Sequence, residues 1–256
     1  MPTRRCWIAV LLGILLPWAG CAQRVDPEVL ETFQEAQKTF DTATKPEDFL
    51  KAAAMYQSIL DRGVTSGVVL YNQGNALMQA GQRGRAIAAY RQAQRYRPRD
   101  PYLEANLRYA LGPQDPQDRR PLVEHLLFWQ DWLSYPEKLH LAAAVVAITF
   151  LLGVAAIAVR KRALARAGLA GLVVGLVAIL SAGYDWYRYE YTVHGVVVQR
   201  EVVARKGNGT SYEPALTAPL TEGTEVKLIA RRGDWVLVRI AGGQEGWLPE
   251  EAVVVF

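Results

Sequence analysis

Two uncharged runs constrain this chain more than anything else in it. Residues 139–159 (LHLAAAVVAITFLLGVAAIAV) and 167–184 (AGLAGLVVGLVAILSAGY) contain no Asp, Glu, Lys or Arg, and the short segment 160–166 separates them. A helix of about 20 apolar residues matches a hydrocarbon core of roughly 30 Å. Neither run carries the polar face that a helix on the surface of a globular domain needs. The expectation is a transmembrane hairpin, with spans over 139–159 and 167–184 and a loop at 160–166. That loop holds Arg160, Lys161, Arg162 and Arg166. Short loops rich in Lys and Arg stay on the cytoplasmic side, so the residues before and after the hairpin should share the extracytoplasmic, periplasmic side. A net charge of +4 over 256 residues is too small to point to nucleic acid.

The N-terminus agrees with export. Arg4 and Arg5 precede an apolar stretch from Trp7 to Leu16, and the small residues Ala19, Gly20 and Ala22 follow. That order marks 1–22 as a signal peptide. Ala19-Gly20-Cys21 is similar to the end of a lipobox, in which Cys21 becomes lipidated, although Trp18 stands where that motif usually has Leu. Lipoprotein processing, ordinary cleavage near Ala22 and retention as an anchor all stay open. Cys6 and Cys21 are the only cysteines, so exported domains have no internal disulfide to rely on.

Before the hairpin the sequence repeats itself at a shift of 34 residues. YNQGNAL at 71–77 lines up with ANLRYAL at 105–111, and AAAMY at 52–56 lines up with AIAAY at 86–90. This is the period of the tetratricopeptide (TPR) repeat, and residues 67–100 resemble a complete one. Leu70, Gly74 and Leu77 lie on a first helix, Ala86, Tyr90 and Ala93 on a second, and Pro98 ends it. Antiparallel helices approach closely where small residues of one meet large residues of the other. Gln73 is polar at a position where the pattern expects an apolar side chain.

Asp26-Pro27 starts an earlier, degenerate repeat, with Phe33, Ala36 and Phe40 on one face. Pro46 opens its second helix, which carries Met55, Tyr56, Ile59 and Leu60, and residues 101–111 supply a closing helix. An all-α TPR domain is therefore expected over 23–112. Repeats of this kind take a peptide or partner segment in the groove lined by their first helices. Val68, Tyr71, Asn75, Met78 and Gln79 are the candidate groove residues. Arg83, Arg85, Arg91, Arg95, Arg97 and Arg99 gather on and after the second helix, either as a solvated convex face or as a surface for an acidic partner or anionic headgroups.

Residues 113–138 read as linker and interfacial segment. GPQDPQDRRP at 112–121 is polar and proline-rich. Leu122, Val123, Leu126, Leu127 and Trp129 fit either a short helix along the outer membrane surface or a plain connector. Aromatic residues flank the spans, with Phe128, Trp129, Trp132 and Tyr135 before the first and Tyr184, Trp186, Tyr187, Tyr189 and Tyr191 after the second. Such rings settle at the headgroup level. Gly171 and Gly175 have the GxxxG spacing that lets another helix approach.

From Val193 the periodicity changes to two. VKLIA, WVLVRI and AVVVF alternate as strands do, with Gly-containing turns between them. An all-β SH3-like barrel is expected over 192–256. Residues 202–256 resemble a bacterial SH3 (SH3b) domain at Ala204-Arg205, Glu222-Gly223-Thr224, Gly233-Asp234-Trp235 and Gly246-Trp247-Leu248-Pro249. Gly223 and Gly246 are expected to supply turn conformations that a Cβ resists, and Trp235 and Trp247 to bury their rings. The same two tryptophans are the second candidate binding surface. Relatives of this kind bind peptides or cell-wall glycopeptide.

The order of an exported TPR domain, two spans around a basic loop and an SH3b domain is similar to that of the BatE-like proteins of bacterial aerotolerance operons. The resemblance implies membrane partners with von Willebrand A-type (VWA) domains, an associated MoxR-type ATPase, and a role in oxidative-stress tolerance or envelope-complex assembly. Three readings follow: an interaction scaffold, a peptidoglycan-binding protein acting through its SH3b domain, and a structural membrane protein without a specific ligand. No cofactor, metal or catalysis is expected. His125, His140 and His194 lack metal-ligand spacing, there is no Walker-type phosphate loop, and Ser134 and Ser181 have no base-and-orienter set nearby in sequence.

Overall fold

The computed structural model describes residues 26–113, 130 and 132–256, with the backbone alone of Tyr189 and Glu190. The expected signal peptide with Cys6 and Cys21, His125 and most of the expected linker lie outside the described residues. The described chain begins with five helices: α1 Pro27–Thr42, α2 Pro46–Asp61, α3 Gly67–Gln79, α4 Arg83–Gln94 and α5 Pro101–Leu111. Three of the starts have a local side-chain cap. The Asp26 carboxylate accepts from the Glu28 amide ahead of Pro27, the Ser66 hydroxyl from Val69, and the Asp100 carboxylate from Tyr102 and Leu103 beside Pro101.

The helices pair and stack as the 34-residue period requires. Gly74 of α3 lies under the Tyr90 ring of α4, where an added Cβ would sit 2.5 Å from ring carbons. Tyr56 and Tyr90, one period apart, are both fully buried. Gln73 occupies its buried seam by donating from Nε2 to Gln57 Oε1 at 2.6 Å.

Two long helices follow, α6 Tyr135–Val159 and α7 Arg162–Tyr191. Residues 135–159 and 162–188 are long and apolar enough to cross a membrane. Ile148, Phe150, Ile157, Leu169 and Leu180 are all exposed, so much of the apolar surface is left uncovered by protein. Both helices extend beyond the spans read from hydropathy. At Ser134 a capping box starts α6 early: the Glu137 amide donates to Ser134 Oγ at 3.4 Å and the Ser134 amide donates to Glu137 Oε2 at 2.8 Å. The loop expected over 160–166 shrinks to Arg160 and Lys161, with Arg160 left-handed at φ 54°. Arg162 and Arg166 join α7, since Arg, Ala and Leu, all good helix formers, dominate RALARAGLA. Gly171 and Gly175 face Thr149, Val145 and Val146 of α6, so the helix that their spacing admits belongs to the same chain.

The end of the helix pair away from Arg160 and Lys161 is closed by a buried polar cluster. Lys138 Nζ pairs with Asp185 Oδ2 at 2.5 Å and also donates to the Gln130 carbonyl. Gln130 Nε2 donates to Asp185 Oδ1 and to the Ser181 carbonyl, both at 2.7 Å, and its Oε1 accepts from the Ser181 hydroxyl at 2.7 Å.

The C-terminal part is a five-stranded antiparallel sheet, in the order β6-β5-β4-β1-β7, plus a two-stranded ribbon β2-β3. The strands are β1 His194–Val197, β2 Glu201–Val202, β3 Leu220–Thr221, β4 Glu225–Arg232, β5 Trp235–Ile240, β6 Glu245–Pro249 and β7 Val253–Val255. Val197, Val226, Val236, Val238 and Leu248 belong to its core. The expectation that Trp235 and Trp247 fill that core is corrected. Trp235 and Leu237 pair with Pro249 and Trp247 across β5 and β6, while Val236, Val238 and Leu248 alternate onto the buried face. With period-two geometry both rings must point outward, and both are half-buried. Gly223 has the expected positive φ of 89°. Gly246 does not, and its reason is close approach, since a Cβ would lie 2.8 Å from the Ala204 methyl.

The sheet is docked on α4. Val196, Val254 and Phe256 join the helical core. Gly84 has no room for a Cβ because the Val197 carbonyl occupies that place. The Gly84 amide, in the first turn of α4, donates to Glu222 Oε1 at 2.8 Å, so the sheet domain provides a cap that Gln82 at the N-cap does not. Arg91 grips Glu225 with two bonds of 2.7 and 2.8 Å.

Candidate binding groove

The first helices of the pairs, α1, α3 and α5, carry neutral polar groups in two hydrogen-bonded sets, each joined by a tyrosine of a second helix. Asn106 Nδ2 of α5 donates to Tyr71 Oη at 3.1 Å and to Asn75 Oδ1 at 2.9 Å, both on α3. Asn75 Oδ1 also accepts from the Tyr90 hydroxyl at 2.9 Å. One period earlier the Tyr56 hydroxyl and Asn72 Nδ2 both donate to Gln37 Oε1, at 3.3 and 3.4 Å. Burial pushes the Tyr56 hydroxyl up to about 12, and burial, with the neighbouring Tyr71, pushes that of Tyr90 higher still. Both phenols therefore stay neutral donors at physiological pH.

This network holds Tyr71 and Asn75, both half-buried, in fixed orientations, while the Asn75 amide hydrogens have no partner among the described residues. The Arg97 guanidinium lies 5.4 Å from the centre of the Tyr71 ring and pairs with Asp100. Of the other candidates read from sequence, Val68 and Gln79 are exposed, and Met78 is half-buried against the helical core. Sequence reasoning missed the extension of this face on α5. Tyr102 and Tyr109 stand 73% and 77% exposed there, and Asn106 joins them. The signal was available: Tyr102 and Tyr109 are Val68 and Asn75 moved on by one period.

Arg85 is exposed, as a solvated face would have it, while other arginines of the group are engaged within the chain. Arg91 is spent on Glu225, Arg83 donates to the Ala110 and Leu111 carbonyls at the end of α5, and Arg99 pairs with Glu137 of α6. The acidic partner of the convex face is, for Arg91, the chain's own sheet domain. On the outer face of that sheet, Trp235 and Trp247 share one side of the β5-β6 pair, with Arg232 5.7 Å above the Trp247 ring.

Ser134 serves as a helix cap and Ser181 sits in the polar cluster of the hairpin. Among the described residues no group of three or more His, Cys, Asp or Glu side chains could hold a metal ion. Compared with known protein families, with curated proteins and with solved structures, the chain matches none.

Proposed function

We propose that this chain is a membrane-anchored protein-interaction scaffold. In this reading the stacked helices are a TPR domain, the C-terminal sheet is an SH3b domain, and a two-span hairpin holds both on the extracytoplasmic side of a bacterial cytoplasmic membrane. The observation that carries it is one helical face: neutral, pre-oriented hydrogen-bonding groups at Tyr71, Asn75 and Asn106 beside the exposed Tyr102 and Tyr109. Such a surface fits a polypeptide segment, which offers amide groups and apolar side chains together. The docking of the sheet on α4 through Glu222 and Glu225 supports the shared side, because domains in contact lie on one face of a membrane. An even number of spans delivers that arrangement, and Arg160 and Lys161 at the turn favour a cytoplasmic bend. The resemblance to BatE-like proteins makes VWA-domain membrane proteins and a MoxR-type ATPase system the first partners to seek.

Crosslinked pull-down from membranes, comparing the wild type with a Tyr71→Ala, Asn75→Ala double variant, tests the groove. Loss of particular partners in the variant is expected, and identical partner sets would remove the groove from the account. The outward-facing, half-buried Trp235 and Trp247 favour peptidoglycan binding as a second reading. Full-length protein in detergent that co-sediments with purified peptidoglycan, and ceases to do so as Trp235→Ala, Trp247→Ala, would move the function there.

A further inference from the structure

A second concavity lies on the other side of α3. The helix advances about 100° per residue, so Leu70 and Gln73 point away from Val68, Tyr71 and Asn75. They floor a cavity of about 280 Å³ between α2 and α4, with Leu60 and Gln57 on one wall and Gln92 and Tyr96 on the other. Three carboxamides thus meet in a small space whose remaining lining includes the apolar Leu60, Val64 and Leu70 together with Thr65 and Arg95.

Gln73 is the unusual member. It is 8% exposed, it stands where the repeat pattern expects an apolar residue, and Gln57 is its one hydrogen-bond partner among the described residues. A buried amide has two donor hydrogens and an acceptor oxygen to satisfy, and leaving them unmade disfavours the fold. An apolar residue would close this seam more cheaply. The glutamine is explained if something polar enters.

We propose that this cavity is a binding site for a primary carboxamide on a short aliphatic stem. A carboxamide places a donor beside an acceptor, and the Gln73 amide, held by Gln57, can meet it edge to edge while Gln92 closes from the rim. The stem lies against Leu60 and Leu70. No acidic side chain lines the cavity, so an ammonium group finds no counter-charge there, and the Arg95 guanidinium in its lining is already engaged within the chain. The carboxamide has two sources, free glutamine or a glutamine side chain of a partner segment, and they are told apart by what surrounds it.

The test is methyl-resolved NMR of the full chain in detergent micelles, titrated to millimolar levels with four probes. These are L-glutamine, N-acetyl-L-glutamine methylamide as the residue mimic, L-glutamate and L-norleucine. Saturable shifts confined to the Leu60, Val64 and Leu70 methyls are expected with the glutamine probes. Tighter binding of the free amino acid assigns a metabolite, and tighter binding of the mimic assigns a peptide residue. Gln73→Leu should abolish the shifts while keeping or raising the thermal midpoint. Gln92→Ala, half-buried on α4, should weaken binding about fivefold with the thermal midpoint measured alongside. Absence of saturable shifts, glutamate or norleucine binding as well as glutamine, or shifts that persist in Gln73→Leu would each overturn the proposal.

Discussion

Lys138 and Asp185 meet with side chains only 3% and 5% exposed, whereas Arg91 and Glu225 meet at the rim of an apolar contact with 30% and 35% left open. Both pairs join elements distant in sequence, yet they do different work. In the hairpin, α6 and α7 have apolar side chains on every face, and a hydrocarbon solvent would give them little reason to prefer one orientation. The cluster of Lys138, Asp185, Gln130 and Ser181 supplies that reason, because its donors and acceptors answer one another in one register. At the sheet–helix contact the burial of Val196, Val254 and Phe256 already fixes the arrangement, and Arg91–Glu225 only trims it. A buried charge pair specifies geometry, and a rim pair adds little.

The sharpest way to break this contrast is to remove one charge from each pair. Lys138→Ala or Asp185→Ala alone leaves the other charge buried, and each should cost about 3–5 kcal/mol in detergent-solubilised protein followed by thermal unfolding. The apolar double variant Lys138→Met, Asp185→Leu should recover most of that loss. If the single variants are as mild as the double, the cluster is not desolvated. Gly84→Val should come next, at about 1–3 kcal/mol, because its side chain meets the Val197 backbone, which cannot rotate aside. Hydrogen exchange should speed up in α4 and β1 together, and unchanged protection of β1 would mean that the sheet is not held there. Glu225→Ala should cost only about 0.2–1 kcal/mol in the same unfolding measurement and leave that exchange pattern intact.

The smallest effect expected is a pH dependence at His194. Burial, aided by the positive charge of Arg188, holds its imidazole below the usual histidine range. Its ring stacks on Phe256, 6.2 Å away, where the sheet meets the helices. The unfolded chain takes up a proton near pH 6.5, and the folded chain does so only at lower pH. Stability should therefore decline as pH falls below that value and level off once the folded imidazole also protonates. His194→Gln should flatten this slope, and an unaltered slope would assign it to other groups.

The helical stack was legible in the sequence because its cause is periodic. Gly74 under Tyr90 and the equivalence of Tyr56 and Tyr90 are the 34-residue repeat realised as packing. The two apolar helices were legible because composition alone marks them, but their ends were not. The Ser134 capping box and the two-residue turn at Arg160 and Lys161 depend on local hydrogen bonds that hydropathy does not register. The outward placement of Trp235 and Trp247 was missed by assuming that large rings seek the core, when the alternation of WVLVRI had already put Val236 and Val238 there. The docking of the sheet on α4 left only the bare Gly84 as its trace, and Lys138 and Asp185, far apart in sequence, could be matched only in three dimensions.

The central claim is that the groove and the sheet lie together on one side of a membrane, with the bend between the spans on the other. In a variant with Cys6 and Cys21 replaced, single cysteines as Gln79→Cys, Thr210→Cys and Lys161→Cys can be probed in intact bacterial cells with a maleimide that cannot cross the cytoplasmic membrane. The account predicts labelling at 79 and 210, and labelling at 161 only after the membrane is permeabilised. Labelling at 161 in intact cells, or opposite behaviour of 79 and 210, would contradict it.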